Sequence, residues 1–130
     1  MNLLFNNTKE KGFMTRIVFK ENEYFVGVCL EFDLEIEGKS LEETEEKLSD
    51  YSRAWLYNVQ KNNLSDELLN RPAPKKYWEV YLRIVKAQKE LAERKIKQSK
   101  TNPSILQVKP FSTVMQSYNI EDHKFSSVAS

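Results

Sequence analysis

Acid–base, nucleophilic or metal chemistry needs histidine, cysteine or gathered carboxylates, and this chain holds one histidine, His123, and one cysteine, Cys29. A Ser-His-Asp or Cys-His arrangement would have to recruit His123 from a polar C-terminal stretch, where its ordinary role is that of a solvent-exposed side chain. Cys29 stands between Val28 and Leu30 with no adjacent His or Lys to favour a thiolate, so it reads as a small core hydrophobe. A single Cys and a single His leave no structural zinc set and no internal disulfide. The three glycines, Gly12, Gly27 and Gly38, are isolated, and none opens a phosphate-cradling loop. Carboxylates remain. Glu31, Asp33, Glu35 and Glu37 alternate along one strand edge and could gather a divalent cation, but alternating acids more often mark a solvated strand face. The reading is of a protein that is not an enzyme and that uses no cofactor and no metal.

Charge is distributed unevenly. Over 130 residues, 20 Lys+Arg nearly balance 19 Asp+Glu, for a net charge of +1. Yet residues 21–50 hold eleven acids against two bases, a net of −9, and residues 51–130 hold fourteen bases against seven acids. Neutrality is thus a cancellation, which points to a charged partner or to internal charge-on-charge packing. A composition of 40% apolar and 12% aromatic residues suffices for one buried core. The apolar run Leu3-Leu4-Phe5 is too short for a signal-peptide core. No stretch approaches the ~20 apolar residues of a membrane span, so a cytoplasmic location is expected.

The elements that would position these groups follow from periodicity. Residues 1–12 read as a loose leader. Phe13, Thr15, Ile17 and Phe19 alternate with Met14, Arg16, Val18 and Lys20, a strand with one apolar face. A polar break at Glu21-Asn22-Glu23 leads to a second strand at 24–30, in which Gly27 allows close approach of a neighbour. Glu31-Phe32-Asp33 turns the chain into a third strand at 34–37, closed by Gly38. A single long bent strand is the alternative, since Val26, Val28, Leu30, Phe32, Leu34 and Ile36 keep one parity. Ser40 and Glu43 form a capping box, and Leu41, Thr44, Leu48, Tyr51, Trp55 and Val59 give the core stripe of a helix of about 20 residues. Glu42, Glu43, Glu45 and Glu46 crowd its first turns, where the helix dipole favours negative charge. Arg71-Pro72-Ala73-Pro74 is a stiff break. Residues 75–100 form a second, basic helix with a stripe of Trp78, Tyr81, Leu82, Val85 and Ala92, flanked by Val80, Ile84 and Leu91. Thr101–Pro103 breaks that helix, Ile105–Val108 fits a short strand, Thr113–Tyr118 is ambiguous, and the tail from Asn119 reads as polar and mobile. The fold class is α+β: a β-β-β-α unit over residues 13–70, a Pro-bounded helix over 71–100 and a C-terminal segment over 101–130.

Residues 13–60 resemble the N-terminal domain of HicB-like antitoxins of type II toxin–antitoxin systems. The resemblance rests on Thr15-Arg-Ile-Val-Phe19, on Tyr24-Phe-Val-Gly-Val-Cys-Leu-Glu-Phe-Asp-Leu34 and on Ile36-Glu-Gly-Lys-Ser-Leu-Glu-Glu-Thr44, in that order and spacing. It covers rather more than a third of the chain. It implies a non-catalytic partial ribonuclease-H-like unit that binds and occludes a small basic, HicA-like toxin that cleaves mRNA. The acidic block would compete for the toxin's RNA-binding surface and speed the encounter. Candidate contacts are Glu31, Asp33, Glu35, Glu42, Glu43 and Glu46, although capping and the dipole alone account for Glu42, Glu43 and Glu46.

The C-terminal half departs from the family. It shows neither the two short helices of a helix-turn-helix nor a strand ahead of two helices. Lys89, Arg94, Lys95, Lys97 and Lys100 form a basic face that could touch a phosphate backbone. The alternatives are therefore a nucleic-acid-binding regulator using that helix, or an orphan interaction domain. The apolar width from Trp78 to Leu91 suits packing on the sheet or a homodimer partner. No membrane partner is expected.

Overall fold

The computed structural model describes residues 6–97, 111–120 and 124–129. Its elements run β1 (Lys11–Glu21), β2 (Tyr24–Cys29), β3 (Leu34–Gly38), α1 (Leu41–Lys61), a single 3-10 turn (Asp66–Leu69), α2 (Lys75–Lys97), β4 (Phe111–Asn119) and β5 (Lys124–Ala129). The fold is α+β, and the β-β-β-α order is present. The strands form one antiparallel sheet in the order β3-β2-β1-β4-β5. β1 is central, with Ile17 opposite Val28 on one side and Thr113 on the other.

The two helices cover opposite faces. Met14 and Val18 of β1, Cys29 at the end of β2, and Leu34 of β3 pack with Leu48, Leu56 and Val59 of α1. Ile17, Val26, Val28 and Leu30 pack with Ala73 and with Tyr77 and Ile84 of α2. Met14 through Val18 are all buried. The expectation of a first strand with one apolar face is therefore corrected: β1 has a helix over each face, so both parities are enclosed.

The turn between β2 and β3 is real. Its Asp33 has φ 56°, a left-handed conformation that Asp tolerates. The apparent common parity breaks there: Val26, Val28 and Leu30 face α2, while Phe32 and Leu34 face α1. The β1–β2 hairpin closes over Asn22, with φ 59°.

Helix α1 begins as expected. Ser40 Oγ accepts from Glu43 N–H at 3.0 Å, and Glu43 reaches back to accept from Lys39 N–H at 2.6 Å. Its buried stripe is Thr44, Leu48, Ser52, Leu56 and Val59. The predicted stripe included Tyr51, which is 42% exposed. The cause is close approach: Thr44 lies against Gly38, and a Cβ on Gly27 would stand 3.0 Å from Thr44 Cγ2. A helix so near the sheet takes small Ser52 inward and turns Tyr51 out. In α2 the buried residues are Tyr77, Ile84 and Ala87, whereas Leu82 and Val85, expected in the stripe, are exposed. Tyr77 sets this rotation by donating from its hydroxyl to Glu35 at 2.6 Å.

The described part of the supposed leader, residues 6–12, is pinned. Asn7 is buried, accepts from Phe13 N–H and donates to Phe13 and Leu69 carbonyls, each within 3.0 Å. The ambiguous stretch at 113–118 is strand β4, and the tail expected to be mobile contributes β5. The strand proposed at 105–108 and the helical residues 98–100 lie outside the described residues.

Truncation separates the two versions of the α1 stripe. Leu56→Ala should cost about 2–5 kcal/mol of folding stability, and Tyr51→Ala within about 0.5 kcal/mol, measured by urea denaturation.

Candidate functional site

Residues at i, i+3, i+4, i+7, i+8 and i+11 share one side of a helix, and on α1 these are Glu42, Glu45, Glu46, Ser49, Asp50 and Arg53. This side adjoins the core stripe and looks toward β1 and β4. Together with Arg16 of β1 and Val114 of β4, these residues line an open groove of about 690 Å³. Arg16 pairs with Val114 across the sheet, so both lie on the face that α1 covers.

Arg16 belongs to the fully covered part of β1 and is 6% exposed. One guanidinium nitrogen donates to Gln116 Oε1 at 2.7 Å. Gln116 is itself 1% exposed. The Arg16 Nε–H has no acceptor among the described residues. Burial pulls the guanidinium below its ordinary pKa. Nearby Arg53 adds to that shift, and Glu45 opposes it. The groove thus has a cationic floor and an acidic wall of four carboxylates.

The six acids singled out in the sequence do not converge. Glu42 and Glu46 stand in the groove wall. Glu43 is occupied by the helix cap and by Lys47 at 3.6 Å, and the Lys39 N–H holds its carboxyl below the usual range. Asp33 is exposed on the β2–β3 turn. Glu35 lies toward the α2 face, bonded to Tyr77. Glu31 is interior, at 1% exposure, and so is withdrawn from any surface contact. Its carboxylate accepts from Thr15 N–H at 2.6 Å and from Thr15 Oγ at 2.7 Å. Glu45, Asp50, Arg53 and Arg16 complete the groove and were not among the candidates. The helical spacing of the first three, and a charged residue within an apolar strand, are the signals that carry them.

Of the basic candidates, Lys89 is exposed and Arg94 half-buried on α2. Lys95 and Lys97 lie in its last turn, and Lys100 lies outside the described residues. Burial pushes the Cys29 thiol up to about 12, which makes it inert. Among the described residues, no group of three or more His, Cys, Asp or Glu is placed to hold a metal ion. No described helix is long and apolar enough to cross a membrane.

The fold and groove define an α+β protein with an enclosed arginine beneath an acidic helix face. No protein-family profile, curated protein or solved structure matches the chain.

Glu31 links stability to pH. Burial raises its carboxyl from 4.5 to about 7, against the opposing effect of the Thr15 bonds. Between those values the folded state keeps a proton that the unfolded state has released. Stability therefore falls as pH rises through the window, by about 3 kcal/mol in all, and stays at the lower level above it. Glu31→Gln keeps an acceptor for Thr15 N–H and a donor for its hydroxyl. The variant should lose this component, so that urea melts from pH 4.5 to 8 show a flatter profile than wild type.

Proposed function

We propose that this protein is a non-catalytic inhibitor that binds and covers a small basic protein, in the manner of HicB-like antitoxins acting on mRNA-cleaving toxins. The observation that carries the reading is the alignment of Glu42, Glu45, Glu46 and Asp50 along one side of a groove. An RNA-cleaving toxin presents a positive surface to phosphates. Carboxylates held on a rigid helix compete for that surface and draw the partner in over a Debye length of about 8–10 Å. Occlusion then needs shape and charge, with no bond made or broken. The strand-turn-strand-cap order of residues 13–44, which carries the resemblance, is the scaffold on which this helix is mounted.

A second reading, a nucleic-acid-binding regulator, is favoured by Lys86 and Lys89 standing exposed on α2. It predicts duplex binding that weakens steeply with salt and is lost in Lys86→Glu/Lys89→Glu; binding that ignores both salt and the substitutions removes it.

The antitoxin reading is tested by co-expression with the product of an adjacent small basic reading frame. Growth arrest by that product alone, relieved when the complex forms, is the expected result. A harmless neighbour, or toxicity that persists within a formed complex, overturns the reading.

A further inference from the structure

Helix α2 carries apolar residues on two sides, and the sheet takes only one of them. Tyr77, Ile84 and Ala87 form the buried side. The stripe that begins at Trp78 lies about 80–160° around the helix from Ile84. On it Leu82 is 54% and Val85 37% exposed, and Ala92, about two turns on, is exposed as well. Leu82 and Val85 are neighbours at i and i+3, so they make one strip rather than scattered surface residues. The bond from Tyr77 to Glu35 fixes the helix in this rotation and keeps the strip away from the sheet.

The strip has the spacing of a helix-pair seam. Counted from Lys75, the seam positions of successive heptads are Lys75, Trp78, Leu82, Val85, Lys89 and Ala92, and Glu79 and Lys86 flank them at equivalent places. Charge decides how a second copy can lie there. A parallel pair would set Lys75 and Lys89 against their own counterparts within the seam. An antiparallel pair that sets Leu82 against the partner's Val85 brings Glu79 beside the partner's Lys86, and the two-fold axis makes that ion pair twice. The same register sets Trp78 against the partner's Lys89, an ammonium against an indole face. Sliding one copy by a heptad brings Glu79 against the partner's Glu79 in one direction and Lys86 against the partner's Lys86 in the other. Of these four arrangements, one alone faces opposite charges.

We propose that α2 is a homodimerisation element, in which two copies of this chain pack antiparallel through Leu82 and Val85 in the register that pairs Glu79 with the partner's Lys86. The contact uses the same patch on both copies and closes on itself. Glu79 is available for it, because its link to Lys75, at 4.0 Å, is an exposed pair within one helix, and such pairs are weak. Helix α1 covers the opposite face of the sheet, so the pairing does not depend on the antitoxin reading.

Sedimentation equilibrium of the full chain at low salt, over ~10 μM to 1 mM, reads the association. Wild type should sediment as a dimer at the upper end, and Leu82→Asp as a monomer throughout. Leu82 faces solvent, so that variant should keep the wild-type circular dichroism spectrum and urea midpoint at low concentration. Glu79→Lys and Lys86→Glu should each weaken association at least about tenfold, since each sets like charges together at both symmetric positions. Glu79→Lys/Lys86→Glu exchanges the two charges and should restore association to within about threefold of wild type. Both residues are exposed, so these variants test the register whatever Leu82→Asp does to the fold. A wild type that is monomeric at ~1 mM, a folded Leu82→Asp that still dimerises, single charge variants that associate like wild type, or a charge exchange no tighter than either single variant overturns the assignment.

Discussion

Central strand β1 is covered on both faces, and nearly every other feature follows from that. A strand between two antiparallel neighbours has all its backbone groups paired, so its side chains decide what may lie above and below it. Met14 and Val18 admit α1 on one face, and Ile17 admits α2 on the other. Helix α1 can close in only because Gly27 and Gly38 leave room for Thr44. The segment between the helices is laced to the β2–β3 turn, where Arg71 N–H donates to the Glu31 carbonyl and Ala73 N–H to that of Leu30, each at 2.8 Å.

The same enclosure explains how a charged side chain comes to lie inside. Arg16 sits on the α1 face between Met14 and Val18, which are buried under the helix. Its guanidinium reaches Gln116 of β4, and the residue lines the groove together with the polar side of α1. There the helix offers carboxylates in place of leucines. The stripe from Glu42 to Arg53 is therefore what α1 presents to a sheet wider than one helix can cover. Charge placed at such a margin keeps the groove open, because carboxylates bury themselves poorly without partners.

Much of this was legible in the residues. The capping box at Ser40 and Glu43, the α1 boundaries, the hairpin and the turn at 31–33 are local signals, and local chemistry fixed them. The rotation of each helix was not local. Hydrophobicity favoured Tyr51 over Ser52 and Leu82 over Ala87, whereas the close approach of α1 to the sheet favoured Ser52, and the Tyr77–Glu35 bond set the rotation of α2. Parity likewise misled at the 30–34 turn, because a tight turn can preserve the numerical alternation while exchanging the faces. β4 depends on pairing with β1 across about 100 residues of chain, and β5 on pairing with β4 once that is in place. Of the groove, the helical acid stripe could be read in advance. That Arg16 would lie beneath it required the sheet order.

Two enclosed charged side chains differ in how completely the fold provides for them. Glu31 and Arg16 are comparably buried. Glu31 is closed: both its oxygens are taken by Thr15, and its backbone carbonyl by Arg71. A group so provided for holds the β2–β3 turn against β1 and has nothing left for a partner. Arg16 is held at one nitrogen by Gln116, and its buried Nε–H has no acceptor among the described residues. Burial alone would have ranked both as candidates. The completeness of their hydrogen bonding separates the two: Glu31 is fully engaged within the fold, whereas Arg16 keeps one buried donor without an acceptor among the described residues.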